Sequence, residues 1–164
     1  MELRQANKLA IELMEQHGLL DKGWHFAFDR ANRRFGSCQY HRKRITLSKP
    51  LTELNSEQEV RNTILHEIAH ALTPGQHHNH IWRAKAKEIG CTGDRCYSSE
   101  KVARPAPKYI AVCSSCKKQY SRSRMGRRLT SCGKCSNKFD PKYVLTFKPN
   151  PTFQINKLVK ALFK

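Results

Sequence analysis

His66-Glu67-Ile68-Ala69-His70 lies inside an apolar-periodic run from about Ser56 to Leu72, with Val60, Ile64, Ile68 and Leu72 recurring at helical spacing. Residues four apart on a helix share a face, so the two imidazoles can point at one metal ion. Glu67, beside His66, can reach a water at that ion without being a ligand itself. Two histidines on zinc with a glutamate as general base is the zincin arrangement. The run is bounded as a helix should be. Ser56 with Glu59 three residues on has the form of a capping box, and Thr73-Pro74-Gly75 stops it. The competing reading of the five residues is an amphipathic helix with two half-buried histidines.

A catalytic zinc of this kind takes a third protein ligand and leaves its fourth position open. Gln76-His77-His78-Asn79-His80-Ile81-Trp82 follows, and then a helix to about Ile89, closed by Gly90. His77, His78 and His80 compete for the third place, and Glu88 is the ligand that a glutamate-type site would use. Thr73 stands where the metzincin spacing needs glycine, so that subclass does not fit. Spacing alone separates none of the four candidates. Trp82 reads as the core anchor of its helix.

Upstream, Leu3, Ala6, Leu9, Ala10, Leu13 and Met14 mark a helix that Gly18 closes. Trp24, Phe26 and Phe28 alternate with polar or small residues as in a strand, and Ala31-Asn32-Arg33-Arg34 reads as a turn. Phe35 to Tyr40 and Arg44 to Ser48 form two more strands around a basic turn, His41-Arg42-Lys43, with Cys38 expected in the core. Pro50 ends the strand region.

Downstream, Cys91 and Cys96 are too few for a metal site of their own and read as buried thiols. Residues 98–107 turn to Ser, Lys, Arg and two prolines, a linker composition. Cys113-x-x-Cys116 and Cys132-x-x-Cys135 then supply two pairs of thiolates to one tetrahedral structural zinc, the spacing of a zinc ribbon over residues 108–148. Lys117, Lys118, Arg122, Arg124, Arg127 and Arg128 lie in that ribbon against Asp140 alone, with Tyr120 interleaved. Cations beside aromatic faces suit single-stranded nucleic acid. Residues 149–164 form a tail in which Phe153, Leu158, Val159, Leu162 and Phe163 alternate with lysines, and no motif assigns it.

Lys and Arg number 31 against 13 Asp and Glu, a net charge of +18 in 164 residues. That balance points to a polyanionic partner, nucleic acid first and an anionic membrane surface second. No apolar run is long enough to span a bilayer, and Met1-Glu2-Leu3-Arg4 lacks the apolar core of a signal peptide. An intracellular, DNA-associated location without a membrane is expected, with thiols reduced. Seven cysteines, an odd number, then read as ligands or free thiols rather than disulfides.

Residues 1–148 resemble the SprT/Spartan group of zinc metalloproteases. The resemblance rests on Gly36-Ser37-Cys38-Gln39-Tyr40…Ile45-Thr46-Leu47-Ser48, on the His66–His70 helix, and on a histidine four residues before Trp82. It implies His78 as third ligand, with Asn79 standing where the family's segment usually has glycine. It implies an α+β fold: a zincin-like domain with a small antiparallel sheet over residues 1–97, followed by a β-rich, DNA-binding zinc ribbon. It implies one catalytic zinc on His66, His70 and His78, one structural zinc on the four cysteines, and Glu67 as general base. The substrates would be proteins bound or crosslinked to DNA, with DNA recruiting and activating the enzyme. The rival is a non-catalytic, zinc-containing nucleic-acid-binding regulator, against which the intact Glu67 argues.

Overall fold

The computed structural model describes residues 1–94 and 102–155, and the chain forms two compact units, Met1–Pro105 and Ala106–Lys164. Cys96, the start of the expected linker and the last nine residues of the tail lie outside the described residues.

The first unit opens with α1 (Leu3–Gln16), which buries Ala6, Ala10, Leu13 and Met14 along one stripe. Gly18 ends it with a φ of +63°, the left-handed conformation a closing glycine takes most cheaply. Three strands follow: β1 (His25–Asp29), β2 (Gly36–Gln39) and β3 (Arg44–Ser48). Their order is β1-β3-β2. β2 runs antiparallel to β3, as expected, but β1 runs parallel to it, so the sheet is mixed. Residues 31–34 therefore do not turn a hairpin between neighbours. They carry the chain across the end of β3, where Ser48 Oγ donates to Ala31 O and Ser48 N donates to Phe35 O at 2.7 Å. β3 takes the centre because it holds the most buried sequence: Ile45 and Leu47 are fully enclosed. A buried hydroxyl on its other face is shared between both flanks, Thr46 Oγ1 lying 2.8 Å from Ser37 Oγ and donating to Asp29 Oδ2 at 3.0 Å.

Ser48 also caps a helix that periodicity does not reveal, α2 (Lys49–Leu54), by accepting from Leu51 N at 3.2 Å. Pro50 ends the strand by starting this helix, since its fixed φ and missing N–H suit a first turn. α3 (Glu57–Leu72) is capped by Ser56, whose hydroxyl accepts from Glu59 N, and it buries Val60, Ile64, Leu65, Ile68 and Ala69. α4 (His80–Glu88) contributes Trp82 and Ala86 to the same core, both fully buried. Cys91 is a buried thiol, as expected, with Sγ 3.7 Å from Asn62 O.

The first unit runs past residue 97. Val102 is 3 % exposed within its core. Asn55 fastens the neighbouring backbone, accepting from Ala103 N at 2.7 Å and donating to Ala103 O at 2.9 Å and Leu51 O at 2.7 Å. The later part of the expected 98–107 linker is thus structural.

The second unit holds β4 (Tyr109–Val112), β5 (Gln119–Arg122) and β6 (Lys148–Pro149), an antiparallel sheet of order β5-β4-β6. Its buried cluster is small: Ala111, Cys113, Cys132 and Leu145. Such a unit depends on a crosslink or metal more than on apolar burial.

Asn55→Ala leaves the Ala103 amide and carbonyl without partners. A loss of about 1–3 kcal/mol in urea-unfolding free energy is expected, together with faster proteolysis near Ala103. Unchanged stability and unchanged proteolysis would show that the 102–105 segment is not held by this side chain.

Candidate metal centres

α3 places His66 and His70 one turn apart on one face. The third imidazole arrives from the turn before α4. Gly75 and His77 both take positive φ there, +78° and +47°, and Asn79 caps α4 by accepting from Ile81 N at 3.0 Å and Trp82 N at 3.1 Å. Asparagine is among the best N-cap residues, which gives the residue at this place a local reason. His78, one position earlier, is thereby turned toward α3. Its Nε2 lies 3.1 Å from Nε2 of both His66 and His70.

Three nitrogens converging this closely match what a tetrahedral ion with bonds of ~2.0 Å requires, a spacing of about 3.3 Å. Burial first, then the charges of His70 and His78, push His66 down to about 3. Burial and the charges of His78 and His77 push His70 down to about 4. Both rings are therefore neutral at pH 7, with lone pairs available to a metal. His66 also hydrogen-bonds the Asp94 backbone, the kind of contact that fixes a ligand's orientation. These three residues can hold a metal ion. The other candidates stand apart: His77 and His80 are exposed, and Glu88 is exposed and paired with Lys85 at 2.7 Å.

Trp82 is more than an anchor. Its ring centroid lies 4.7 Å from that of His66, 5.1 Å from His70 and 4.6 Å from His78, so one buried indole backs all three imidazoles. Tyr40, just past β2, donates to His70 O at 2.7 Å and ties the end of α3 to the strand region.

Glu67 points to β2. Its carboxyl is buried and accepts from the Cys38 backbone N–H. Burial pushes it up to about 8, against the smaller opposing effects of the Cys38 amide and Arg34. The approach is close enough to dictate the residue beneath it. A Cβ at Gly36 would lie 2.8 Å from Glu67 Cγ and 2.8 Å from Oε1, nearer than real atoms come. Cys38, expected in the core, is half-buried, and its main-chain amide is what the glutamate uses. Sequence pattern alone shows neither contact, although the glycine at the start of a strand was a visible sign of close approach.

The second cluster joins the four cysteines of the second unit. Cys113 Sγ lies 3.8 Å from Cys135 Sγ, and Cys116 Sγ lies 3.5 Å from Cys132 Sγ. These distances are far too long for disulfides, whose sulfurs sit about 2.05 Å apart. They fit a tetrahedral ion with ~2.3 Å bonds, which spaces its sulfurs about 3.8 Å apart. Just after the first pair of cysteines, Lys117 takes a φ of +59° while its N–H donates to Cys113 O.

The residues expected to contact nucleic acid around this cluster divide into two groups. Tyr120 puts its hydroxyl 3.0 Å from Cys132 Sγ, and that hydrogen bond is the main cause holding the Cys132 thiol down to about 6. Arg122 donates to Thr130 Oγ1 at 2.8 Å and lies over the Phe147 ring at 4.1 Å. Lys117 Nζ donates to Ser114 O, and Lys118 lies over the Tyr120 ring. Tyr120 and Arg122 thus serve the ribbon's own structure. Arg124, Arg127 and Arg128 are exposed.

The class defined by this architecture is an α+β unit with a three-histidine candidate metal centre, followed by a four-cysteine cluster. Residues 5–102 match the family model described as the SprT-like family, more than half of the chain, and the protein belongs to that family. No curated protein matches the chain.

Elemental analysis checks both centres. His78→Ala is expected to lose one metal equivalent, while His77→Ala and His80→Ala keep it. Cys113→Ser with Cys132→Ser is expected to lose the other and unfold the second unit, since a structural zinc supplies folding free energy of about 10 kcal/mol or more. Retention of both ions in the double cysteine variant would rule out the second centre.

Proposed function

We propose that the protein is a zinc-dependent endopeptidase of the zincin type that acts on proteins bound or crosslinked to DNA, inside the cell. The observation that carries this reading is the convergence of His66, His70 and His78 next to a buried carboxylate on the same helix turn. Membership of the SprT-like family supports it. Zinc would supply Lewis acidity, lowering the pKa of water and polarising a peptide carbonyl.

The remaining steps belong to the chain. Glu67 accepts a proton from the attacking water while the water's oxygen bonds to the carbonyl carbon. The C–N bond then breaks, and Glu67 returns the proton to the departing amine. Gly36 and the Cys38 N–H hold the carboxylate in place for both transfers. Burial alone favours the protonated acid, and a positive charge in the histidine triangle counters that, restoring a base.

The second unit supplies DNA recruitment in this reading. Its described residues carry eleven Lys and Arg against Asp140 alone, and such one-signed charge meets phosphates through counterion release. No helix among the described residues is long and apolar enough to cross a membrane.

Cleavage of a DNA-bound protein, with and without single-stranded DNA, tests the proposal. Glu67→Gln is expected to keep both metals and bind DNA normally while losing about 10²–10⁴ in rate. Equal activity of this variant and the wild type would remove the enzyme reading and leave a nucleic-acid-binding module. Gly36→Ala separately tests how the base is held. The added methyl displaces Glu67, so cleavage falls by at least about tenfold while the histidine metal stays bound. Wild-type activity in Gly36→Ala would refute the positioning argument alone.

A further inference from the structure

We propose that the loop between the two cysteine pairs, Arg124–Leu129, is a base-contacting finger for single-stranded nucleic acid. Met125 and Leu129 lie against the faces of unpaired bases, and Arg124, Arg127 and Arg128 hold the phosphates on either side. The proposal rests on the nucleic-acid reading of the ribbon and assigns it an element and a mode of contact.

Leu129 is 73 % exposed and Met125 54 %. Two large apolar side chains standing in water on one six-residue loop call for a partner, all the more in a unit that has so few buried apolar residues to spare. The loop is also held in shape from within. Arg122 closes its base by donating to Thr130 Oγ1 and stacking on Phe147. Gly126 leaves room for that arginine, since a Cβ there would come within 3.1 Å of Arg122 Nη1. A clamped loop loses little freedom on binding, so its exposed residues are presented rather than merely left over.

The charges on the loop are uncommitted. The ion pairs among the described residues all lie in the first unit. Asp140, the acid of the ribbon, gives its carboxylate to Lys142 N at 2.8 Å. Three cations and two apolar tips thus lie inside six residues. The complement is a ligand with anions at regular intervals and apolar surface between them. Single-stranded nucleic acid has that composition, with phosphates outside and base faces free to stack. A duplex hides those faces within its stack. An anionic membrane satisfies the charges, but its affinity grows with buried apolar area, and two side chains on one loop offer little.

The test uses the full-length, metal-loaded chain and fluorescence anisotropy. The nucleic-acid probes are a labelled single-stranded oligonucleotide, its abasic counterpart with the same phosphates, and the matching duplex, and phosphatidylserine vesicles are the membrane probe. The wild type is expected to bind the oligonucleotide about tenfold more tightly than the abasic strand. Met125→Ser with Leu129→Ser is expected to erase that preference and keep the salt dependence, since no charge is lost. Arg127→Gln with Arg128→Gln is expected to keep the preference and lower the slope of log K against log salt by about 1.4, two contacts at ~0.7 each. An unchanged metal content shows that each variant keeps its fold. A Met125/Leu129 variant that still discriminates bases overturns the proposal, as does tighter wild-type binding to the duplex. So does a variant impaired only toward phosphatidylserine vesicles, which would assign the loop to membranes. Failure of the wild type to bind any of the three nucleic-acid probes would instead remove the nucleic-acid reading of the whole ribbon, and this proposal with it.

Discussion

Trp82 is the contact on which the candidate centre depends. It is fully buried, it belongs to α4, and its indole lies within about 5 Å of three imidazoles carried by α3 and by the turn before α4. Two histidines on one helix can face the same way by local geometry alone. The third cannot, because its position depends on how α4 packs on α3. Burying an indole of this size in that seam is among the larger apolar contributions a single residue makes, and it locks the angle at which His78 approaches. The helix cap at Asn79 and the left-handed turn at His77 then need only deliver the last residue.

The local features of this fold were legible in the chain. α1 and α3 follow from apolar spacing, α4 ends beside the glycine expected to close it, and the two Cys-x-x-Cys pairs come together as their spacing implies. What stayed hidden was non-local or short. The parallel pairing of β1 with β3 is a matter of strand order, which alternation of side chains does not encode. α2 has six residues, too few for a periodic stripe, and only Ser48 and Pro50 announce it. The choice among His77, His78 and His80 needed either a family resemblance or coordinates, because three histidines within four positions have equivalent local chemistry. Composition names Tyr120 and Arg122 as nucleic-acid contacts but does not show that their polar groups also bond Cys132 and Thr130. Composition counts charges and rings; it does not say which of them the unit needs for itself.

That distinction shapes the second unit. With a buried cluster of four residues, two of them cysteines, it has little apolar surface to hold it together. Its hydrogen bonds and cation–ring contacts are drawn into that task, leaving the outer arginines of one loop available. The same sparse core that makes the unit dependent on its sulfur cluster also leaves large side chains at its surface.

Gly36 and Glu67 share a volume that holds one of them at full size. The carboxylate is seated on a strand position defined by the absence of a side chain, so any side chain at position 36 meets it at its first carbon. The two positions are therefore epistatic. A methyl group at 36 conflicts with a glutamate, whereas a side chain one methylene shorter at 67 would release the space but draw the carboxylate back from the Cys38 amide. Each change alone alters one property, fit or reach, and the pair together exchanges one for the other. A substitution at either position therefore changes what the other can hold.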